Sequence, residues 1–173
     1  MIVGSLKRKA LIAVCAGGAV AAIACGVLRS VAAPDVIAPA AYTLLDGTPA
    51  HTAQLTGRVV LVNFWATSCA VCLQEMPDLV ATHARFKERG FETLAIAMAY
   101  DPPANVVRYT EAHALPFQVA IDHDGSLAER FGQVVATPTS VLINQRGEIV
   151  ERHVGRLDFA ALDTSIDKLL SAR

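Results

Sequence analysis

Apolar residues run almost without a break through VVLVNF, residues 59 to 64. The run is largely β-branched, the pattern of a strand covered on both faces, and it predicts a central strand. The period then changes: Cys72, Met76, Leu79, Val80, His83 and Phe86 recur at spacings of three and four. This predicts a helix from Cys69 to about Arg89, stopped by Gly90 and interrupted or kinked at Pro77. Next come FETLAIAMAY as a buried strand, ANVVRYTEAHA as a helix, FQVAI as a strand, the turn DHDG and the short helix SLAERF. SVLIN, the turn QRGE and EIVERHV predict an antiparallel hairpin, and Leu162, Ile166, Leu169 and Leu170 a closing amphipathic helix. Strands alternating with helices define an α/β fold around a parallel or mixed sheet.

Two stretches precede this pattern. Residues 34 to 57 open on Pro and Ala and carry the turn LDGTP, predicting a linker and an N-terminal hairpin ahead of a main domain at 58–173. Residues 10 to 28 hold no charge and follow the basic cluster Lys7, Arg8 and Lys9. That length is close to the ~20 residues of a membrane-crossing helix and exceeds the apolar run of most cleaved signals. For residues 1–33 we rank an uncleaved membrane anchor first and a signal peptide cut after SVAA second. A lipoprotein signal acylated at Cys25 comes third. Each alternative leaves the basic cluster inside and puts the remainder outside the cytoplasm.

Charge narrows the function. The chain is formally −1, and its leading segment holds Lys7, Arg8, Lys9 and Arg29 but no acid, so the remainder is more acidic still. A nucleic-acid-binding protein would have the opposite balance. Of the four cysteines, Cys15 and Cys25 belong to the leading segment, leaving Cys69 and Cys72 to the main domain. A bridge between them would close a tiny loop, which stabilises a fold little. Stapling is therefore a poor account of the pair.

Electron exchange is a better one. If the strand ends near Trp65 and the helix starts near Cys69, the first cysteine lies at a helix N-terminus. Free N–H groups and the macrodipole favour an anion there. Lowering a thiol pKa from ~8.5 to ~7 takes about 2 kcal/mol, within reach of such a site. Cys69 is then the attacking nucleophile. Cys72, one turn later, resolves the mixed disulfide. Glu75, three residues beyond Cys72, lies on the same helical face. It is either a solvated surface glutamate, which spacing alone favours, or a carboxylate in an apolar pocket that takes the Cys72 proton. Trp65 either packs beside the cysteines and shapes a docking surface or simply fills core.

The stretch VVLVNFWATSCAVCLQEMPDL, followed much later by ATPTSVLINQRGEIV, resembles the thioredoxin superfamily, and within it the exported bacterial disulfide reductases of the TlpA and ResA type. The resemblance spans about residues 40 to 170. It implies a thioredoxin fold, with an extra helix and strand inserted around 101–121. It also implies a cis Thr137–Pro138 bond whose backbone pairs with an extended substrate chain, and a buried acid at Glu75. Asn63 stands where ordinary thioredoxins have a buried Asp. Ser68 and Val71 depart from the tryptophan and proline that many members carry.

The resemblance further implies an exported enzyme on the periplasmic side of the bacterial inner membrane, anchored there or released after signal cleavage. It would need no cofactor beyond the redox-active Cys69–Cys72 disulfide and no metal. Its partners would be disulfide-bonded protein substrates, apocytochrome c cysteines among them, and a membrane thiol carrier as electron donor. Rivals have less in their favour. Structural zinc needs about four ligands, against one CxxC pair and the scattered His51, His83, His113, His123 and His153. A copper carrier using both thiolates and a histidine such as His153 is the nearest competitor. A peroxidase with a T-x-x-C site is disfavoured because Ala66 stands three before Cys69.

Overall fold

The computed structural model describes residues 35 to 172. The expected membrane or signal helix in 1–33 lies outside the described residues, as do Cys15 and Cys25. Among the described residues, no helix is long and apolar enough to cross a membrane.

A short antiparallel hairpin, β1 (Ala41–Thr43) and β2 (Pro49–His51), opens the described chain. β3 (Val59–Trp65), α1 (Ala70–Phe86), β4 (Phe91–Ala97), α2 (Pro103–Ala112) and β5 (Gln118–Ile121) follow. The chain closes with α3 (Ser126–Arg130), β6 (Thr139–Ile143), β7 (Ile149–Val154) and α4 (Phe159–Ser171). The five-stranded sheet has the order β5-β4-β3-β6-β7. β3 pairs parallel with β4 and antiparallel with β6, so the sheet is mixed.

Every residue of β3 is buried because both faces of the strand are covered. Side chains alternate along it. Val59, Leu61 and Trp65 join a core with Met76, Leu79, Val106, Leu162 and Ile166, drawn from α1, α2 and α4. Val60, Val62 and Phe64 pack on the other side against Tyr42, Leu55, Leu127 and Phe131. The N-terminal hairpin also shields the sheet edge: Leu44 bridges Ala120, and the Leu45 N–H donates to the Val119 carbonyl at 2.8 Å.

α1 is continuous through Pro77, which corrects the expected interruption. Proline withholds one donor and disfavours a helix interior by about 3 kcal/mol. Here Pro77 faces solvent, while Cys72, Met76, Leu79, His83 and Phe86 bury the opposite stripe and hold the helix together. A short 3₁₀ turn, Lys87–Arg89, carries the chain to Gly90, whose φ of 97° ends the helix in a left-handed conformation. Leu79 is 1% exposed, and truncating it leaves a cavity under the sheet. We expect Leu79→Ala to lower unfolding stability by about 2–5 kcal/mol in denaturant titration, with Cys69 reactivity unchanged.

Candidate active site

β3 delivers the chain to the sheet end where the redox pair lies. Beyond Trp65 a turn closes, with the Cys69 N–H donating to the Ala66 carbonyl at 3.0 Å. Cys69 is the N-cap of α1: its backbone is extended, and its Sγ accepts the Cys72 N–H at 3.2 Å. The sulfur therefore occupies the position where an anion is best stabilised on a helix. Cys69 and Cys72 are disulfide-bonded, their Cα atoms 5.3 Å apart. Cys69 is half-buried, whereas Cys72 is 2% exposed. An incoming sulfur can meet the first cysteine but not the second.

Glu75 is 1% exposed, which rules out the solvated-surface alternative. Its Oε1 accepts the Leu157 N–H at 2.5 Å, and its Oε2 is buried without a hydrogen-bond partner. Burial pushes the Glu75 carboxyl above the ordinary glutamate range, against the opposing pull of the Leu157 N–H and the nearby Arg156 and His153. Arg156 itself donates to Gln74 Oε1 at 2.5 Å.

Thr137–Pro138 is a cis peptide bond. It directly precedes β6, and Thr139 pairs with Phe64, so this loop and the Cys69 turn emerge at one end of the sheet. The Gly155 N–H donates to the Pro138 carbonyl at 2.8 Å. Gly155 and Leu157 thus tie the proline loop and the buried acid to the same short segment. Thr137 is half-buried, and its hydroxyl lies 3.3 Å from that of Tyr100.

Trp65 corrects one expectation. Its side chain is 0% exposed and packs 5.3 Å from the Tyr109 ring, in the cluster that includes Cys72. It fills core and cannot touch a docked chain, because it lies on the inward face of a strand covered by α1 and α2. Asn63, on the same strand, is buried and donates from Nδ2 to Ser140 Oγ at 2.9 Å. Ala70 and Val71, between the cysteines, face solvent. His153 is exposed with Nε2 against the Arg156 carbonyl at 2.7 Å. Among the described residues, no group of three or more His, Cys, Asp or Glu side chains gathers into a metal site.

Two features had no signal in the sequence. Leu157 contributes only a backbone N–H, which no side-chain type announces. Asp101, far from the CxxC pair along the chain, accepts hydrogen bonds from Thr67 in the redox turn.

Known proteins resemble this chain in sequence and in fold. The family model described as Redoxin matches residues 30–166. The thiol-disulfide oxidoreductase ResA of Halalkalibacterium halodurans is 35% identical over 111 residues. That match covers 64% of this chain and 62%, less than two thirds, of the relative. ResA of Bacillus thuringiensis subsp. konkukian is 31% identical over 127 residues, covering 73% of this chain and 72% of the relative. The crystal structure of a thiol:disulfide interchange protein, a thioredoxin family protein from Chlorobium tepidum TLS, aligns with a TM-score of 0.74 at 28% identity. It covers 82% of this chain and 100% of that one. By sequence and by structure, the chain belongs to the redoxin family, alongside the ResA-type thiol–disulfide oxidoreductases of the thioredoxin superfamily.

Proposed function

We propose that the protein is an exported, membrane-anchored enzyme that reduces disulfides in extracytoplasmic proteins. The observation that carries this reading is the asymmetry of the pair: an accessible Cys69 at a helix N-cap and a buried Cys72 one turn behind it.

In the reduced enzyme, the Cys69 thiolate attacks one sulfur of a substrate disulfide. The S–S bond breaks, the first substrate sulfur leaves as a thiolate, and a mixed disulfide remains. The Cys72 thiol gives its proton to the Glu75 carboxylate, and the resulting thiolate attacks Cys69 Sγ. The second substrate sulfur departs, two electrons have passed to the substrate, and the Cys69–Cys72 disulfide is formed. The Thr137 backbone, before Pro138, would pair with the extended substrate segment by strand addition. A membrane thiol carrier then returns two electrons. Disulfides of exported proteins, including those of apocytochrome c, are the substrate class, on the periplasmic side of the inner membrane.

The direction of electron flow is tested by the reduction potential of the pair, measured in the full chain with Cys15 and Cys25 replaced by serine. A reductase fed from the membrane is expected at or below about −250 mV. A value between about −180 and −120 mV would instead make the protein an oxidase or isomerase and overturn the reading.

A further inference from the structure

The corner between β4 and α2 grips the redox turn through one buried carboxylate. Asp101 is 2% exposed, and Thr67 supplies hydrogen bonds to both its oxygens. The Thr67 N–H donates to Oδ2 at 2.6 Å and its hydroxyl to Oδ1 at 2.5 Å. A carboxylate this deeply buried needs donors, and no Lys, Arg or His among the described residues pairs with it. Thr67 lies inside the Ala66–Cys69 turn, two residues before the nucleophile.

The corner is itself fixed. The Met98 N–H donates to the Trp65 carbonyl at 3.0 Å, and the Asp101 N–H to the Met98 carbonyl at 2.9 Å. Asp101 therefore stands on a rigid end of the sheet and holds the turn from outside it.

On its helix side Cys69 is held by the bridge to Cys72 and by the Leu73 N–H, which donates to the Cys69 carbonyl at 3.1 Å. The Cys69 N–H to Ala66 bond closes the turn, and Ser68 between them is exposed. In the oxidised pair the bridge to Cys72 also holds the sulfur; once it is reduced, Thr67 is the turn residue tied to the sheet corner.

We infer that Asp101 is a positioning residue for Cys69, clamping Thr67 so that the sulfur is aimed at the first N–H groups of α1. The inference rests on the reading of Cys69 as the attacking thiolate.

The test uses the full chain, reduced, with Cys15 and Cys25 replaced by serine. Cys69 is titrated by its thiolate absorbance and by its rate of alkylation with iodoacetamide. Thr67→Val removes one donor from the clamp without a change of shape. It is expected to raise the Cys69 pKa by about half a unit or more, a threefold or greater fall in alkylation at neutral pH. Thr67→Ser, which keeps the hydroxyl, is expected to titrate as the wild type. Asp101→Asn separates position from charge: removing a negative charge alone would lower the thiol pKa, so a rise identifies lost positioning.

Valine and asparagine variants that lose stability yet titrate as the wild type would reduce the clamp to a structural contact and overturn the inference. So would a fall in the Cys69 pKa in Asp101→Asn. A wild type whose Cys69 titrates near the ordinary ~8.5 overturns the inference, since no aimed sulfur is then stabilised, while the reductase reading stands or falls separately on the reduction potential.

Discussion

Cys72→Ser is expected to halt the enzyme with its substrate attached. Attack by Cys69 needs only its own thiolate. The hydrogen bond that stabilises that thiolate comes from the backbone N–H of residue 72, not its side chain. Serine keeps this N–H, so the first step should run at close to the wild-type rate. The second step needs a thiolate where the variant has a hydroxyl whose proton Glu75 cannot remove. Turnover should fall by about a hundredfold or more, while a mixed disulfide between Cys69 and the substrate accumulates. In cells, it would appear as a high-mass species on a non-reducing gel that collapses on addition of a thiol reductant.

The burial of Cys72 adds a condition. At 2% exposure, beside Met76 and Trp65, a serine hydroxyl would lack a good partner and cost about 1–3 kcal/mol. Cys72→Ala avoids that cost and should trap the same species. If neither variant, folded and exported, captures any protein through Cys69, the protein-disulfide substrate is wrong. If both turn over like the wild type, the resolving role belongs elsewhere.

The parts of this site legible in the sequence are those that depend on neighbours along the chain. VVLVNF had to be a doubly covered strand, and the cysteine spacing had to place one sulfur at the start of a helix and the other a turn later. Both follow from periods of two and 3.6 residues. Trp65 and Glu75 were ambiguous for the opposite reason. Whether a side chain at a strand end or on a helix flank meets solvent depends on what packs over it. For Trp65 that cover is Tyr109 of α2, and for Glu75 it is the Gly155–Leu157 segment after β7. Pro77 does not interrupt the helix, because the local rule against proline is outweighed by burial spread along the whole helix. Asp101 gave no warning: an acid before Pro102–Pro103 resembles any loop residue until the fold brings Thr67 to it.

Glu75→Gln should separate a proton-transfer role from a packing role, because glutamine has nearly the same shape and can still accept the Leu157 N–H at Oε1. What it loses is the ability to take a proton on the unpartnered oxygen. Burial holds the wild-type carboxyl above the ordinary glutamate range, so it becomes a competent base only as pH rises through that elevated value. The rate of mixed-disulfide resolution should climb over the same interval. In Glu75→Gln this limb should vanish. The rate should fall by about tenfold to a hundredfold near neutrality and rise only as Cys72 ionises unaided.

Stability should move the other way. A carboxyl whose folded pKa lies above its unfolded value contributes stability that is fully present below the unfolded value, about 4.3 for glutamate. That stability is lost as pH rises through the folded value. Above that folded value the ionised Glu75 is therefore a burden, and there the glutamine variant should melt at a higher temperature than the wild type, with the gap closing in acid. Slower resolution combined with a higher Tm is hard to obtain from damaged packing. An unchanged pH profile with a lower Tm would mean that Glu75 serves only as an acceptor for Leu157, and the proton from Cys72 would have to leave by another route.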